Sequence, residues 1–241
     1  MAVTGRILSL ALILGLISST QVDGQNFSGR LILGMNGSQI DGDGMSGYYK
    51  PGLVAGAGVR FPINSRLSFG PEIHFSMKGS KTSFDEIEKY NAPRVIYQLN
   101  YIDLPVIADY RISSGIQAEG GLSYGRLLTA KIDNGSNFGF VDRTEYFKKS
   151  DFQLVIGLKY EIFDNFWLSG RLLYSLISIN ALGITNPAYQ IVGSSSRGGF
   201  FNNLLQFTMS MHLFGTPVSS KIPPSSSPSA NPDTKTQAPG T

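Results

Sequence analysis

The chain contains no cysteine. That excludes disulfides, thiol catalysis, cysteine metal sites and a cysteine-linked lipid. Charge is also scarce: Asp, Glu, Lys and Arg make up 15% of the 241 residues, and the net charge is +3. That small charge, with no basic stripe interleaved with aromatics, argues against nucleic acid as a partner. Long apolar runs are missing too. Ile7 to Ile17 is too short to cross a bilayer as a helix, and no later run is long enough. With Arg6 before that run and Val22-Asp23-Gly24 after it, residues 1–24 have the pattern of a secretory signal peptide, leaving Gln25 as the new N-terminus.

What the chain does have is a rhythm. Leu67, Phe69, Pro71, Ile73, Phe75 and Met77 alternate without a break with Ser68, Gly70, Glu72, His74, Ser76 and Lys78. Side chains on a strand point to opposite faces with period two, so one face here is apolar and the other polar. Half-buried strands of soluble proteins run to about five or six residues. A strand tilted across a bilayer needs roughly nine to eleven. Seven further stretches follow the same pattern: Phe27 to Asn36, Gly52 to Phe61, Tyr97 to Arg111, Gln117 to Ala130, Asp151 to Ile162, Phe166 to Leu176 and Asn203 to Phe214. The expected fold is all-β: an eight-stranded antiparallel up-and-down transmembrane β-barrel over residues 25–214. Residues 215–241 are rich in Ser, Pro and Thr and are expected to form a disordered tail.

The connections support this independently. Pro62 to Ser65, Ile112 to Gly115 and Phe163 to Asn165 are tight turns, whereas the other four connections are long. Short turns on one side and long loops on the other is the pattern of outer-membrane barrels, with turns and both termini periplasmic and loops outside. Aromatics fall at strand ends on the apolar phase. Phe27, Phe61, Tyr110, Tyr160 and Phe166 lie on the turn side, and Phe75, Phe152, Tyr174 and Phe207 nearer the loops, as two interfacial girdles require. Three features resist. Leu99 and Tyr101 sit on the opposite phase from Ile102 and Leu104, which a bulge would explain. Arg126 lands on the apolar phase. Pro71 and Pro105 lie inside strands, where proline removes a ladder bond and implies a bulge or a break in pairing.

Several segments carry a family likeness. They are Gln39-Ile40-Asp41-Gly42-Asp43-Gly44, Tyr49-Lys50-Pro51-Gly52, Gly70-Pro71-Glu72-Ile73, Lys78-Gly79 and Leu99-Asn100-Tyr101-Ile102-Asp103-Leu104-Pro105. Over Gln25 to Phe214 the chain resembles the porin-family outer-membrane β-barrel domain proteins of Gram-negative bacteria. Both awkward prolines fall within the matching segments. The resemblance implies the fold and the outer membrane as location, and it brings no catalytic residues onto this sequence.

The polar phase holds Arg30, Arg60, Lys159 and Arg171 with Glu72, Asp103, Asp109, Glu119, Glu161 and Asp151. An eight-stranded barrel is only wide enough for side chains to fill it, so mixed charges there should pair. The candidate lumen set is therefore Arg30, Arg60, Glu72, Asp103, Glu119, Lys159 and Arg171, as a structural network or a pore lining. No catalytic residue, metal site or cofactor is expected. His74 and His212 fall on strands of opposite direction, roughly 15 Å apart along the axis, and cannot share a metal. His74 shares a face with Glu72 and Ser76, but a triad also needs mutual contact and an oxyanion site. Asp41-Gly42-Asp43-Gly44 lacks the further acidic ligands of a calcium loop and fits a turn. Charged loop residues between Lys81 and Arg94, and between Asp142 and Lys149, are candidates for surface contact.

The expected function is thus a non-enzymatic outer-membrane barrel, porin-like, structural or surface-interacting, with at most weak solute passage. Its partners are the lipid bilayer, the barrel-assembly machinery (for which Phe214 would serve as an aromatic signal), and a cell-wall or protein partner through the tail or loops. Two alternatives remain open on alternation alone: a soluble lipocalin-like barrel with its apolar face inward, and an accessory barrel in secretion or envelope assembly.

Overall fold

The computed structural model describes residues 27–135, 138–181 and 199–214. The expected signal peptide and tail lie outside them. Eight long antiparallel strands form the wall: β1 Ser28–Asp41, β2 Lys50–Pro62, β3 Leu67–Lys81, β4 Ile96–Ser113, β5 Ile116–Asp133, β7 Ser150–Phe163, β8 Phe166–Ser175 and β9 Phe201–Phe214. Neighbours in sequence pair, β1 also pairs with β9, and β4 pairs with β5, so the sheet closes without an edge. A two-residue strand, β6 (Val141–Asp142), only extends the loop end of β5. Ser114-Gly115 and Asp164-Asn165 make two-residue turns in which Gly115 and Asn165 take positive φ, and residues 63–66 make the third. The loop after β3 carries one short helix, α1 (Phe84–Tyr90). Ser83 and Glu86 close a reciprocal capping box at its start, and Asn91 in a left-handed conformation ends it.

Burial settles which face is inside. Leu33 is 60% exposed and Ile156 55%, whereas Arg30 is 2% exposed and Glu72 3%. The polar phase therefore lines the lumen and the apolar phase faces out. A lipocalin-like barrel with an apolar interior is overturned by this arrangement, because the outward residues have no protein to cover them.

The irregularities resolve differently from expectation. β4 keeps one phase from Tyr97 to Arg111, so Leu99 and Tyr101 point inward with no shift. The bulge lies on the partner strand: Asn100 pairs with Thr129 and Tyr101 with Leu127, leaving Leu128 as the extra residue. Arg126, short of that bulge, faces outward above Tyr124 on the loop side. At Pro71 and Pro105 the β3–β4 ladder is interrupted between Pro71/Val106 and His74/Asp103, yet the register is the same on either side. A missing N–H removes rungs here without inserting a residue. Phe207 pairs with Gly170 and Met35, halfway along those strands, and so belongs to the apolar belt and not to a loop-side girdle.

Candidate functional site: a filled lumen

The lumen site begins with glycine. Four inward glycines each stand directly across the ladder from a large polar side chain: Gly56 from His74, Gly58 from Glu72, Gly125 from Asp103 and Gly157 from Arg171. A Cβ at Gly157 would lie 2.9 Å from Arg171 Cγ, and one at Gly125 would lie 2.6 Å from Asp103 Oδ1. In an eight-stranded barrel, whose interior is just wide enough for side chains to fill, these gaps make room for the long charged side chains opposite.

Glu72 is the hub of the turn-side network. It accepts hydrogen bonds from Arg30 and Arg60, and from Arg171 Nη1 and Nη2 at 2.8 and 3.1 Å. His74 Nε2 lies 2.9 Å from its other side. Arg171 also grips Glu119, with Nε and Nη2 at 2.9 and 2.8 Å, and Ser169 donates to the same carboxylate. Arg60 Nε reaches Asp109 at 2.7 Å, which Lys159 approaches at 3.4 Å. Such charge-assisted, forked bonds are the strong ones, and they compensate charges that would be costly alone.

A second, smaller network lies nearer the loops. Lys78 Nζ donates to Asp103 and to Gln153, both at 2.9 Å, and stands 4.5 Å over the Tyr101 ring. Asp151 accepts from Ser175 at 2.7 Å and Asn202 at 2.8 Å. Between the two networks, Ile107, Val155, Leu173 and Leu204 form a buried apolar patch, in register through Gly121 across β4, β5, β7, β8 and β9. Within these two networks five buried cations (Arg30, Arg60, Lys78, Lys159, Arg171) meet five buried carboxylates (Glu72, Asp103, Asp109, Glu119, Asp151), while two further buried cations, Lys50 and Arg111, donate to the Pro51 and Ser65 carbonyls.

The loop end is sealed by apolar packing. Ile40, Tyr97, Leu99, Tyr101, Leu127 and Ile132 point inward from the strands, and Phe147 and Ile179 come in from the third and fourth loops. Lys148 N–H donates to the Ile179 carbonyl at 2.7 Å, and Phe147 bridges Asn180, so the two loops are tied over the opening. The first loop is tied down differently. Asp41 accepts from Gln39 and Asn203, and Asp43 from the Met45 N–H at 2.8 Å, so the two aspartates do not converge on a common point. Asp43 is 5% exposed, and burial pushes its carboxyl up to about 7.

All seven lumen residues proposed from the sequence are buried. Six of them meet in the turn-side network, which Arg60 and Arg171 join through Glu72, Glu119 and Asp109; Asp103 belongs to the second network. Sequence reasoning missed Lys78 and Trp167. Lys78 ends the clearest alternation, on its polar phase; Trp167 is an apolar residue on the polar phase of β8, 2% exposed. On the outer wall, Phe61 lies 6.2 Å from Phe27 and 5.9 Å from Phe69 at the turn side. Tyr110 and Tyr160 are half-exposed at that end, and Phe166 begins β8 there, paired with Phe163 across the tight turn. Loop-side pairs are Tyr124–Phe152 and Tyr174–Phe201. The Glu72, His74 and Ser76 face is committed to structure: Ser76 Oγ accepts from Asn36 at 3.0 Å, and Glu72 is held by three arginines. Among the described residues no group of His, Asp and Glu is arranged to hold a metal.

An edgeless sheet with an apolar exterior and a polar, packed interior is a transmembrane β-barrel. Residues 23–181 match the model of the outer membrane protein beta-barrel domain family, and the chain belongs to that family. It is an outer-membrane β-barrel protein in contact with the lipid bilayer. Among solved structures it is similar to Ail, the attachment invasion locus protein of Yersinia pestis, at 15% identity and a TM-score of 0.47, covering 78% of this chain and 99% of that one. Neisserial surface protein A is 15% identical with a TM-score of 0.41, covering 77% and 96%. The N-terminal β-barrel domain of Pseudomonas aeruginosa OprF is 11% identical with a TM-score of 0.37, covering 79% and 100%. No curated protein matches the sequence.

Proposed function

We propose that this protein is a non-enzymatic barrel that anchors four loops at the cell surface and passes little or no solute. The filled lumen carries this reading: buried charges of both signs paired within two networks, with apolar packing at the loop end. A charge-selective channel calls for a lumen of one predominant sign and more strands. In this reading the three tight turns and both termini face the periplasm, the loops face outward, and the barrel-assembly machinery inserts the chain. The loops, and the segment after Phe214, are the places for a protein or cell-wall partner, including a role as an accessory barrel in envelope assembly.

Planar-bilayer recording of the refolded, signal-free protein tests the lumen, with insertion checked by heat-modifiable migration. An inserted but silent barrel is expected. Stable discrete conductance steps would replace this reading with a pore lined by Arg30, Arg60, Glu72 and Arg171. Orientation is tested separately, because the native chain has no cysteine. Asp85→Cys in the second long loop should react with a membrane-impermeant maleimide on intact cells, and Asn64→Cys in a tight turn should not.

A further inference from the structure

At the turn-side mouth the lumen closes on a cavity of about 20 Å3, lined by one inward residue from each of the eight long strands. That volume is enough for one water-sized occupant. The wall is unevenly charged. Within the turn-side network four cations, Arg30, Arg60, Arg171 and Lys159, face three carboxylates, Glu72, Glu119 and Asp109; the further buried cation at this end, Arg111, is accompanied by Glu161. Glu72 and Glu119 are held by the arginines at normal or short distances, whereas Lys159 has a 3.4 Å contact with an Asp109 oxygen already bonded to Arg60. An ammonium carries three donors, so Lys159 is the undercompensated cation.

Beside it stand polar atoms without partners. Trp167 Nε1–H, on a side chain 2% exposed, has no acceptor, and neither ring nitrogen of His212 has a partner. Lys159 Nζ lies 4.8 Å from the Trp167 ring, and the Trp167 and His212 rings are 6.4 Å apart. Leaving a buried indole N–H unbonded costs on the order of 1–3 kcal/mol. Asp109 Oδ1, also unpartnered, is the acceptor on this wall that opposes an anion.

We propose that this mouth is a binding site for one monatomic anion, a halide, held by Lys159 Nζ, Trp167 Nε1–H and the excess positive charge of Arg60 and its neighbours. A bound halide completes the neutrality of the turn-side cluster and gives the indole its acceptor. The competing occupant is a water bridging Trp167 Nε1 and Asp109 Oδ1.

Trp167 is the protein's sole tryptophan, so its fluorescence reports this site alone. The full refolded barrel is titrated with potassium bromide against potassium gluconate at constant ionic strength. Quenching that saturates, with no effect of caesium, is expected. Lys159→Gln should abolish the saturable part while heat-modifiable migration is kept. Linear, unsaturable quenching of wild type, or saturation unchanged in Lys159→Gln, would assign the cavity to water and overturn the proposal. Should that variant fail to fold, the anomalous signal of wild-type crystals soaked in bromide decides: a peak beside Trp167 Nε1 supports the site, and its absence at saturating bromide refutes it.

Discussion

The two ends of this lumen are filled by opposite chemistry. Toward the turns, Glu72, Glu119 and Asp109 are locked to arginines by directional, forked hydrogen bonds. Toward the loops, Leu99, Tyr101, Leu127, Phe147 and Ile179 make a seal of apolar side chains, with backbone hydrogen bonds tying the third and fourth loops together over it. The contrast follows from what each end can recruit. At the turn end the connections are two to four residues long and cannot fold inward, so strand side chains must fill the space themselves. Long polar side chains do that, provided each charge is paired. At the loop end, the third and fourth loops reach in, and apolar packing is non-directional enough to accept segments that are not part of the ladder.

This contrast can be broken from either end. Glu72→Leu should have the largest effect, because it strands Arg30, Arg60 and Arg171 without their shared carboxylate; breaking a buried ion pair from one side costs about 3–5 kcal/mol. Denaturant unfolding in lipid vesicles measures it, and a loss below 1 kcal/mol would mean that water reaches the network and compensates it. Ile156→Arg tests the outer face that both ends share. It should cost roughly 2–4 kcal/mol in the same assay if Ile156 sits near the bilayer midplane. Unchanged stability would invert the assignment of faces.

Leu99→Ala in the loop-end seal should cost about 2 kcal/mol, the low end for such a truncation, because the third loop can settle into the space. Hydrogen exchange should show the change near Phe147 and Ile179 and leave the turn-side network protected. Equal deprotection at both ends would show that the two fillings are one cooperative unit.

The most local effect expected is a pH dependence of the first loop. Burial raises the Asp43 carboxyl from 3.8 to about 7, and the nearby carboxylates of Glu86 and Asp41 act in the same direction. The folded state then holds a proton that the unfolded loop releases near pH 4. Docking is therefore firmest below pH 4, weakens as pH rises through 4 to 7, and is flat above. Exchange of amides 42–49, corrected for intrinsic rates, should be slower at pH 5 than at pH 8, and Asp43→Asn should remove the difference. No difference in wild type would mean that Asp43 ionises in place.

Much of this was legible in the chain. Period-two alternation on stretches longer than soluble strands need, with three tight turns and four long loops, was enough to number the strands and place Arg30, Arg60, Glu72, Asp103, Glu119, Lys159 and Arg171 on one phase. Alternation assigns residues to faces because strand geometry is local. It does not say which face is inside, since that depends on closure of the sheet. Closure put the polar phase inward and turned Leu99 and Tyr101, which look like a phase error in one dimension, into the seal of the loop end. It also gave four glycines their purpose, because the side chain each one accommodates belongs to another strand. The partners of Glu72 lie 42, 12 and 99 residues away in sequence. Pairing across such separations is set by barrel register and shear, so it was decided only by the tertiary structure.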